Sequence, residues 1–144
     1  MFDKLKNNKI INLDLYSQNI ENIDKLSKYL FFNSSLKILN LTWNKIKDID
    51  KLGESLKYNS SLEVLILCCN RIKNIDKLSE SLKYNSSLKI LNLGGNKIKN
   101  IDKLSESLKY NSSLDVLVLR NNKIKKEDII KLKKNNKNIK IIFF

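Results

Sequence analysis

Residues that could carry out chemistry are scarce in this 144-residue chain, which contains no histidine. Histidine is the commonest general base and metal ligand, so its absence excludes catalytic triads of the Ser-His-Asp and Cys-His kinds. Cys68 and Cys69 are adjacent and lack the further ligands of a zinc site, and Asp48, Asp50 and Glu54 lack the remainder of a calcium loop. We therefore expect no enzyme, with no catalytic residue, metal or cofactor.

Asparagine is the polar residue with the most regular spacing. One column recurs every 26 residues, at Asn44, Asn70, Asn96 and Asn122. Such a column could line a ligand site, but a buried asparagine at a bend can also satisfy main-chain groups of neighbouring turns. We expect the second role, a structural asparagine ladder.

A second column fits the acceptor pattern for N-glycosylation, at Asn33, Asn59, Asn85 and Asn111, each followed by two serines. The N-terminal segment MFDKLKNNKI is charged where a signal peptide needs an apolar stretch. We therefore interpret these residues as turns and expect an intracellular, cytoplasmic protein. The chain also has no apolar run of the length that a membrane span requires.

The spacing of these residues reflects a repeat of 26 residues, starting near residues 10, 36, 62, 88 and 114. In each repeat, alternating apolar residues such as Leu91 and Leu93 predict a short strand, with Ile90 and Asn92 on its other face. Apolar residues then follow at spacings of three and four, which predicts a short helix starting near Asp102. A single unit cannot bury its apolar residues, so the units must stack.

The pattern L-x-x-L-x-L-x-x-N-x-I resembles the leucine-rich repeat over residues 10–144. The segment L-K-Y-N-S-S-L is similar to the ribonuclease-inhibitor and NOD-like-receptor class of these repeats. The resemblance implies an α/β solenoid, with a parallel β-sheet on the concave face and short helices on the convex face. We expect a single domain over residues 1–144, with Phe2 and Leu5 covering the first repeat.

In this fold class the concave sheet usually binds partners. The outward positions of the predicted strands carry no lysine, although the chain has 26 lysines. Many of these outward positions are apolar. This pattern predicts a non-catalytic scaffold that binds a protein partner, although β-branched residues are also simply favoured in strands. The candidate partner-binding residues are Tyr16, Asn40, Trp43, Ile66, Cys68, Asn92, Val118 and Arg120.

The C-terminal segment 139–144 is expected to form a last strand. Aligned with a one-residue deletion, it matches Ile142 and Phe144 to the inward residues Leu117 and Leu119 and turns Ile141 and Phe143 outward. An unpaired strand edge can pair with another chain. The first alternative function is therefore a homodimer formed through Ile141, Phe143 and Phe144 or through the apolar concave patch.

Lysine forms columns of its own, and the chain has a formal net charge of +13. The columns are Lys45, Arg71, Lys97, Lys123; Lys47, Lys73, Lys99, Lys125; and Lys57, Lys83, Lys109. Such a stripe is typical of nucleic-acid binding, the second alternative function. Only Arg71 and Arg120 could make bidentate contacts, however, and a solvated face explains the lysines equally well.

Overall fold

Short strands alternate with short helices in the computed structural model, which describes Leu5 and residues 8–144. The strands are β1 (Asn12–Asp14), β2 (Ile38–Asn40), β3 (Val64–Ile66), β4 (Ile90–Asn92), β5 (Val116–Val118) and β6 (Lys140–Ile142). The helices are α1 (Asp24–Phe32), α2 (Asp50–Leu56), α3 (Asp76–Leu82), α4 (Asp102–Leu108) and α5 (Lys126–Asn135).

The described strands form one parallel sheet in sequence order, from β1 to β6. Between β1 and β5, each residue pairs with the residue 26 positions later, as Leu39 does with Leu65 and Leu65 with Leu91. Parallel neighbours need a crossover connection, and here each crossover carries one helix. This arrangement confirms the α/β solenoid predicted from the period.

The core lies between the sheet and the helix layer. Leu39, Leu65, Leu91 and Leu117 are fully buried on the inner side of the sheet, and each such side chain stabilises the fold by about 1.5–3 kcal/mol. The leucines of the helices close the core from the other side. Leu5 is also buried in this core, whereas Phe2 lies outside the described residues.

Local hydrogen bonds explain where the helices begin. The amide of Asp102 donates to the Asn100 side chain over 2.7 Å, and the equivalent amide of Asp50 donates to Asp48 over 2.8 Å. These bonds satisfy a main-chain N–H that the first helical turn leaves without a partner, and the aspartates favour the positive end of the helix dipole. Helix α4 begins at Asp102, as the sequence predicts.

The close approach of α2 and α3 depends on a glycine. A Cβ atom at Gly53 in α2 would lie 2.5 Å from the amide nitrogen of Leu78 in α3. The same position holds serine in other repeats, for example Ser79, which is fully buried. Gly53 therefore allows α2 and α3 to pack more closely than a side chain would permit.

The predicted alignment of the last strand is wrong. Ile141 pairs with Leu117 and is buried, and Lys140 and Ile142 pair with the outward residues Val116 and Val118. Two residues, not one, are therefore missing from the 26-residue period. The outward positions of β6 belong to Lys140 and Ile142, so the exclusion of lysine from the sheet surface ends at this strand.

Candidate functional site

The outward side of the sheet, here called the strand face, is the candidate binding surface. One row across it is apolar from Ile38 through Val64 and Ile90 to Val116, in continuous register. These side chains are partly exposed, with Ile38 at 36%. The strand face therefore offers a band of aliphatic surface that crosses four repeats.

The neighbouring row is partly polar and fixes the ends of the strands. The Asp14 carboxylate accepts a hydrogen bond from the Tyr16 amide and another from the Asn40 side chain, both over 3.0 Å. Asn40 in turn accepts from the Thr42 amide, and Asn92 accepts from that of Gly94. Asn40 and Asn92 thus shape the strand ends in addition to facing outward.

Beyond the strands, one position in each repeat has left-handed backbone. The residues in this column have φ between 54° and 66°: Ser17, Trp43, Cys69, Gly95 and Asn121. The amides of the first four donate to a carbonyl of the following repeat, as Trp43 does to Cys68 over 3.0 Å. Glycine and asparagine tolerate this conformation, whereas it costs a bulky side chain about 1–2 kcal/mol.

Trp43 is the exceptional member of this left-handed column. Its side chain is 61% exposed, and that of Tyr16 in the preceding repeat is 53% exposed. A strained backbone combined with an exposed indole is not explained by packing, and such strain concentrates at binding sites. Trp43 and Tyr16 form the aromatic part of the strand face.

Cys68 and Cys69 lie next to this aromatic part and are both free thiols. Their sulfur atoms are 3.2 Å apart. Burial, and to a smaller extent the contact with Cys69, raise the pKa of the Cys68 thiol to about 11. A thiol with a raised pKa is a poor nucleophile near neutral pH, so Cys68 acts here as a small side chain of the surface.

Two other proposed anchors differ in their accessibility. Val118 is only 9% exposed and offers little contact area to a partner. Arg120, just beyond β5, is exposed. Among the proposed self-association residues, Ile141 is buried and Phe143 is half-buried against the core, whereas Phe144 is 84% exposed.

The predicted asparagine column has extensive main-chain contacts. The Asn70 side chain donates to the carbonyls of Leu41 and Leu67 over 2.9 and 3.1 Å and accepts from the Ile46 amide over 3.1 Å. Asn96 makes the equivalent bonds one repeat later. Each amide thereby joins its own turn to the preceding repeat.

The Asn-Ser-Ser turns contain a second ladder that the sequence analysis missed. Asn59 donates to the carbonyls of Leu30 and Asn33, both over 2.7 Å, and Asn85 repeats the pattern with Leu56 and Asn59. These asparagines are about 95% buried. Their recurrence is therefore explained by a structural bond between repeats.

Several lysines outside the three columns are engaged by carboxylates of neighbouring repeats. Glu63 pairs with Lys37 over 3.0 Å and with Lys89 over 2.8 Å, and these contacts lower the pKa of its carboxyl group. Lys103 pairs with Glu80, and Lys51 pairs with Asp24. In the helix layer, Lys51 and Lys103 thus belong to ion pairs between repeats.

Among the described residues, no group of three or more cysteine, aspartate or glutamate side chains is placed to hold a metal ion. No helix there is both long and apolar enough to cross a membrane.

Comparison with known proteins identifies the repeat. A family profile described as leucine rich repeat matches residues 60–124, and another with the same description matches residues 32–49. No curated protein matches the sequence significantly.

Two solved structures illustrate how widely the fold is shared. Leiomodin-1 actin-binding site 2 is similar over 95% of this chain and 86% of its own, with a TM-score of 0.75 and 17% identity. The C-terminal domain of Caenorhabditis elegans tropomodulin is similar over 95% of this chain and 89% of its own, with a TM-score of 0.75 and 14% identity. At such identities the likeness concerns the fold alone. The matched repeats show that the chain is a leucine-rich-repeat protein.

Proposed function

We propose that the protein is a non-catalytic recognition scaffold that binds a protein partner on its strand face. Leucine-rich-repeat domains generally mediate protein-protein interaction. The aliphatic band from Ile38 to Val116 and the exposed rings of Tyr16 and Trp43 supply the apolar surface that such contacts use.

The observation that carries this proposal is the conformation of Trp43. Asn121 and Gly95 occupy the same left-handed position in other repeats at little steric cost. A tryptophan that is strained and 61% exposed contributes less to folding than either residue would. Since tryptophan is enriched among the residues that dominate interface energies, we assign Trp43 as the principal anchor.

The partner in this proposal is a protein surface with its own apolar contacts. Ile66 and Cys68 are partly exposed in the repeat that follows Trp43. Arg120, two repeats further on, is exposed and adds a charged group. Actin is the first partner to test, because the similar leiomodin structure is named for an actin-binding site.

The test compares an aromatic variant of the strand face with a control variant on helix α5. The strand-face variant carries Tyr16→Ser and Trp43→Asn, and the control carries Ile130→Ser, at an apolar side chain that is 58% exposed. Binding is measured by co-sedimentation with actin filaments and by capture of partners from cells that express the protein. We expect the strand-face variant alone to lose its partner. Equal retention by both folded variants would refute the proposal.

The two alternative functions are separated by independent measurements. Self-association through Phe144 or the strand face predicts a dimer in light scattering, and removal of the Phe144 side chain tests the first route. Electrostatic binding of nucleic acid predicts an affinity that falls steeply with salt. A monomer that binds no oligonucleotide at low salt would exclude both alternatives.

A further inference from the structure

A second surface lies on the other side of the molecule, in the helix layer. A groove of about 1220 Å³ runs across α1 to α4 and the turns that follow them. Its lining includes small residues that are nearly buried, Gly53, Ser55, Ser81 and Ser107. These small side chains leave room above them, whereas long lysine and aromatic side chains form the walls.

One wall of this groove is a ladder of aromatic rings and lysines. Lys57 lies 4.8 Å from the centroid of the Tyr84 ring, and Lys83 lies 4.7 Å from that of Tyr110. The three tyrosines of this column are 58–61% exposed. Each lysine is thus held in place by the ring of the next repeat, at a cation–π distance.

The first repeat changes the chemistry of the ladder. Phe31 stands at the position of Lys57, and Phe32 stands at that of Tyr58, 26 residues earlier. The Phe31 ring packs on Tyr58 at a centroid distance of 5.1 Å, and Phe32 is 73% exposed. The groove therefore presents two phenylalanine rings at the end of α1, near Lys25 and Lys28, where the following repeats present a lysine and a tyrosine.

The charges of the groove favour an anionic occupant. Seven lysines and four carboxylates line it. Three of the carboxylates are engaged by lysines: Asp24 by Lys51, Glu80 by Lys103, and Glu106 by Lys109. Within the described residues, neither Lys57 nor Lys83 is joined to a carboxylate, and a ring leaves the charge of an ammonium group intact.

We propose that this groove docks an acidic segment of a partner protein, with an apolar residue against Phe31 and Phe32 and carboxylates on Lys57 and Lys83. The four carboxylates in the lining would repel a continuous row of phosphates. An acidic peptide can place its charges only where the lysines lie. This docking groove lies in the helix layer and does not depend on recognition by the strand face.

The repeat spacing defines the occupant further. Packed helices lie about 8–10 Å apart, so successive lysines of the ladder recur at a similar distance. In an extended polyproline-type chain, every third side chain lies on the same face, about 9 Å apart. A segment with an apolar residue followed by an acidic residue at every third position matches the groove.

The experiment uses a fluorescein-labelled peptide with leucine followed by glutamate at every third position, and a matched peptide with glutamine instead. Fluorescence polarisation is measured with the whole chain. We expect the glutamate peptide to bind and the Lys57→Gln/Lys83→Gln variant to bind it about ten-fold more weakly, as the loss of two exposed ion pairs implies. Phe32→Ser should also weaken binding.

The matched control is Lys47→Gln/Lys73→Gln, which removes two exposed lysines outside the groove. We expect its affinity to equal that of the unmodified protein, and circular dichroism verifies that both double variants fold. Equal weakening by both variants would overturn the proposal, as would equal binding of the glutamine peptide or no binding at all. Tighter, Lys57- and Lys83-dependent binding of a single-stranded oligonucleotide would assign the groove to nucleic acid and also overturn it.

Discussion

Replacing Gly53 by alanine offers a test, because the sequence repeat and the structure predict opposite changes in the free energy of unfolding. Other repeats have serine at this position, and alanine or serine in a helix interior is normally more stable than glycine by about 0.5–1 kcal/mol. Repeat consensus therefore predicts that Gly53→Ala stabilises the protein. The packing of α2 against α3 predicts the reverse.

The magnitude follows from the distances at the contact. The added methyl group would lie 2.5 Å from the Leu78 nitrogen, 2.6 Å from the Lys77 carbonyl carbon and 2.9 Å from the Leu78 Cα. All three are main-chain atoms, so the helices must separate by about 1 Å to restore ordinary contact distances. Overpacking of this kind costs about 1–3 kcal/mol. After subtraction of the helix propensity, we expect a net loss of about 1–2 kcal/mol.

Ser79→Ala is the matched control at the equivalent position of the next repeat. Ser79 is fully buried, and its hydroxyl is the one buried side-chain oxygen or nitrogen of the described residues that lacks a hydrogen-bond partner. Removing it should stabilise the protein by about 1 kcal/mol.

Thermal unfolding followed by circular dichroism measures both variants. A domain of this size shifts by about 4 °C for each kcal/mol, so Gly53→Ala should lower Tm by about 4–8 °C and Ser79→Ala should raise it by about 4 °C. A higher Tm for Gly53→Ala would refute the argument from close helix packing.

Two further predictions concern the asparagine ladder and the cysteine pair. Asn70→Ala should lower the free energy of unfolding by about 3 kcal/mol, because three buried main-chain groups lose their partner. Unfolding in urea measures this loss, and Asn122→Ala, at a more exposed asparagine, should lose less. Equal losses in the two variants would contradict this explanation. In a Cys69→Ser variant, alkylation of Cys68 by iodoacetamide should remain slow at neutral pH and rise with increasing pH, because burial, the largest cause of its raised pKa, is unchanged. Rapid alkylation at neutral pH would contradict this assignment.

The period was sufficient to predict most of the fold, but it failed at the last strand. Up to β5, leucines alternate with outward residues, so the register is determined by which face must be buried. Ile141, Ile142, Phe143 and Phe144 are consecutive and all apolar. Without alternation, the pattern cannot distinguish inward from outward residues, and only the pairing of Ile141 with Leu117 resolves it.

The candidate sites were less predictable because they depend on neighbouring repeats. Gly95 and Asn121 are residue types that are typical of left-handed backbone. Tryptophan is not, so the sequence around Trp43 does not indicate the left-handed conformation that this residue adopts. The recurring segment L-K-Y-N-S-S-L predicts a turn and gives no separate signal for its tyrosine. The contact of Lys57 with the ring of Tyr84 can be predicted only if the two turns are known to be adjacent in space.

The two asparagine ladders also determine how such a protein can change in length. Asn70 and Asn85 each bond to the repeat before them, so every repeat presents the same acceptors to the next. Duplicating residues 62–87 would preserve all of these bonds. An insertion one residue longer or shorter than a repeat would displace the asparagine and move the inward side chains of the strand to its outward face. The length of both surfaces can therefore grow only in whole repeats, and the number of repeats sets how long a partner the protein can span.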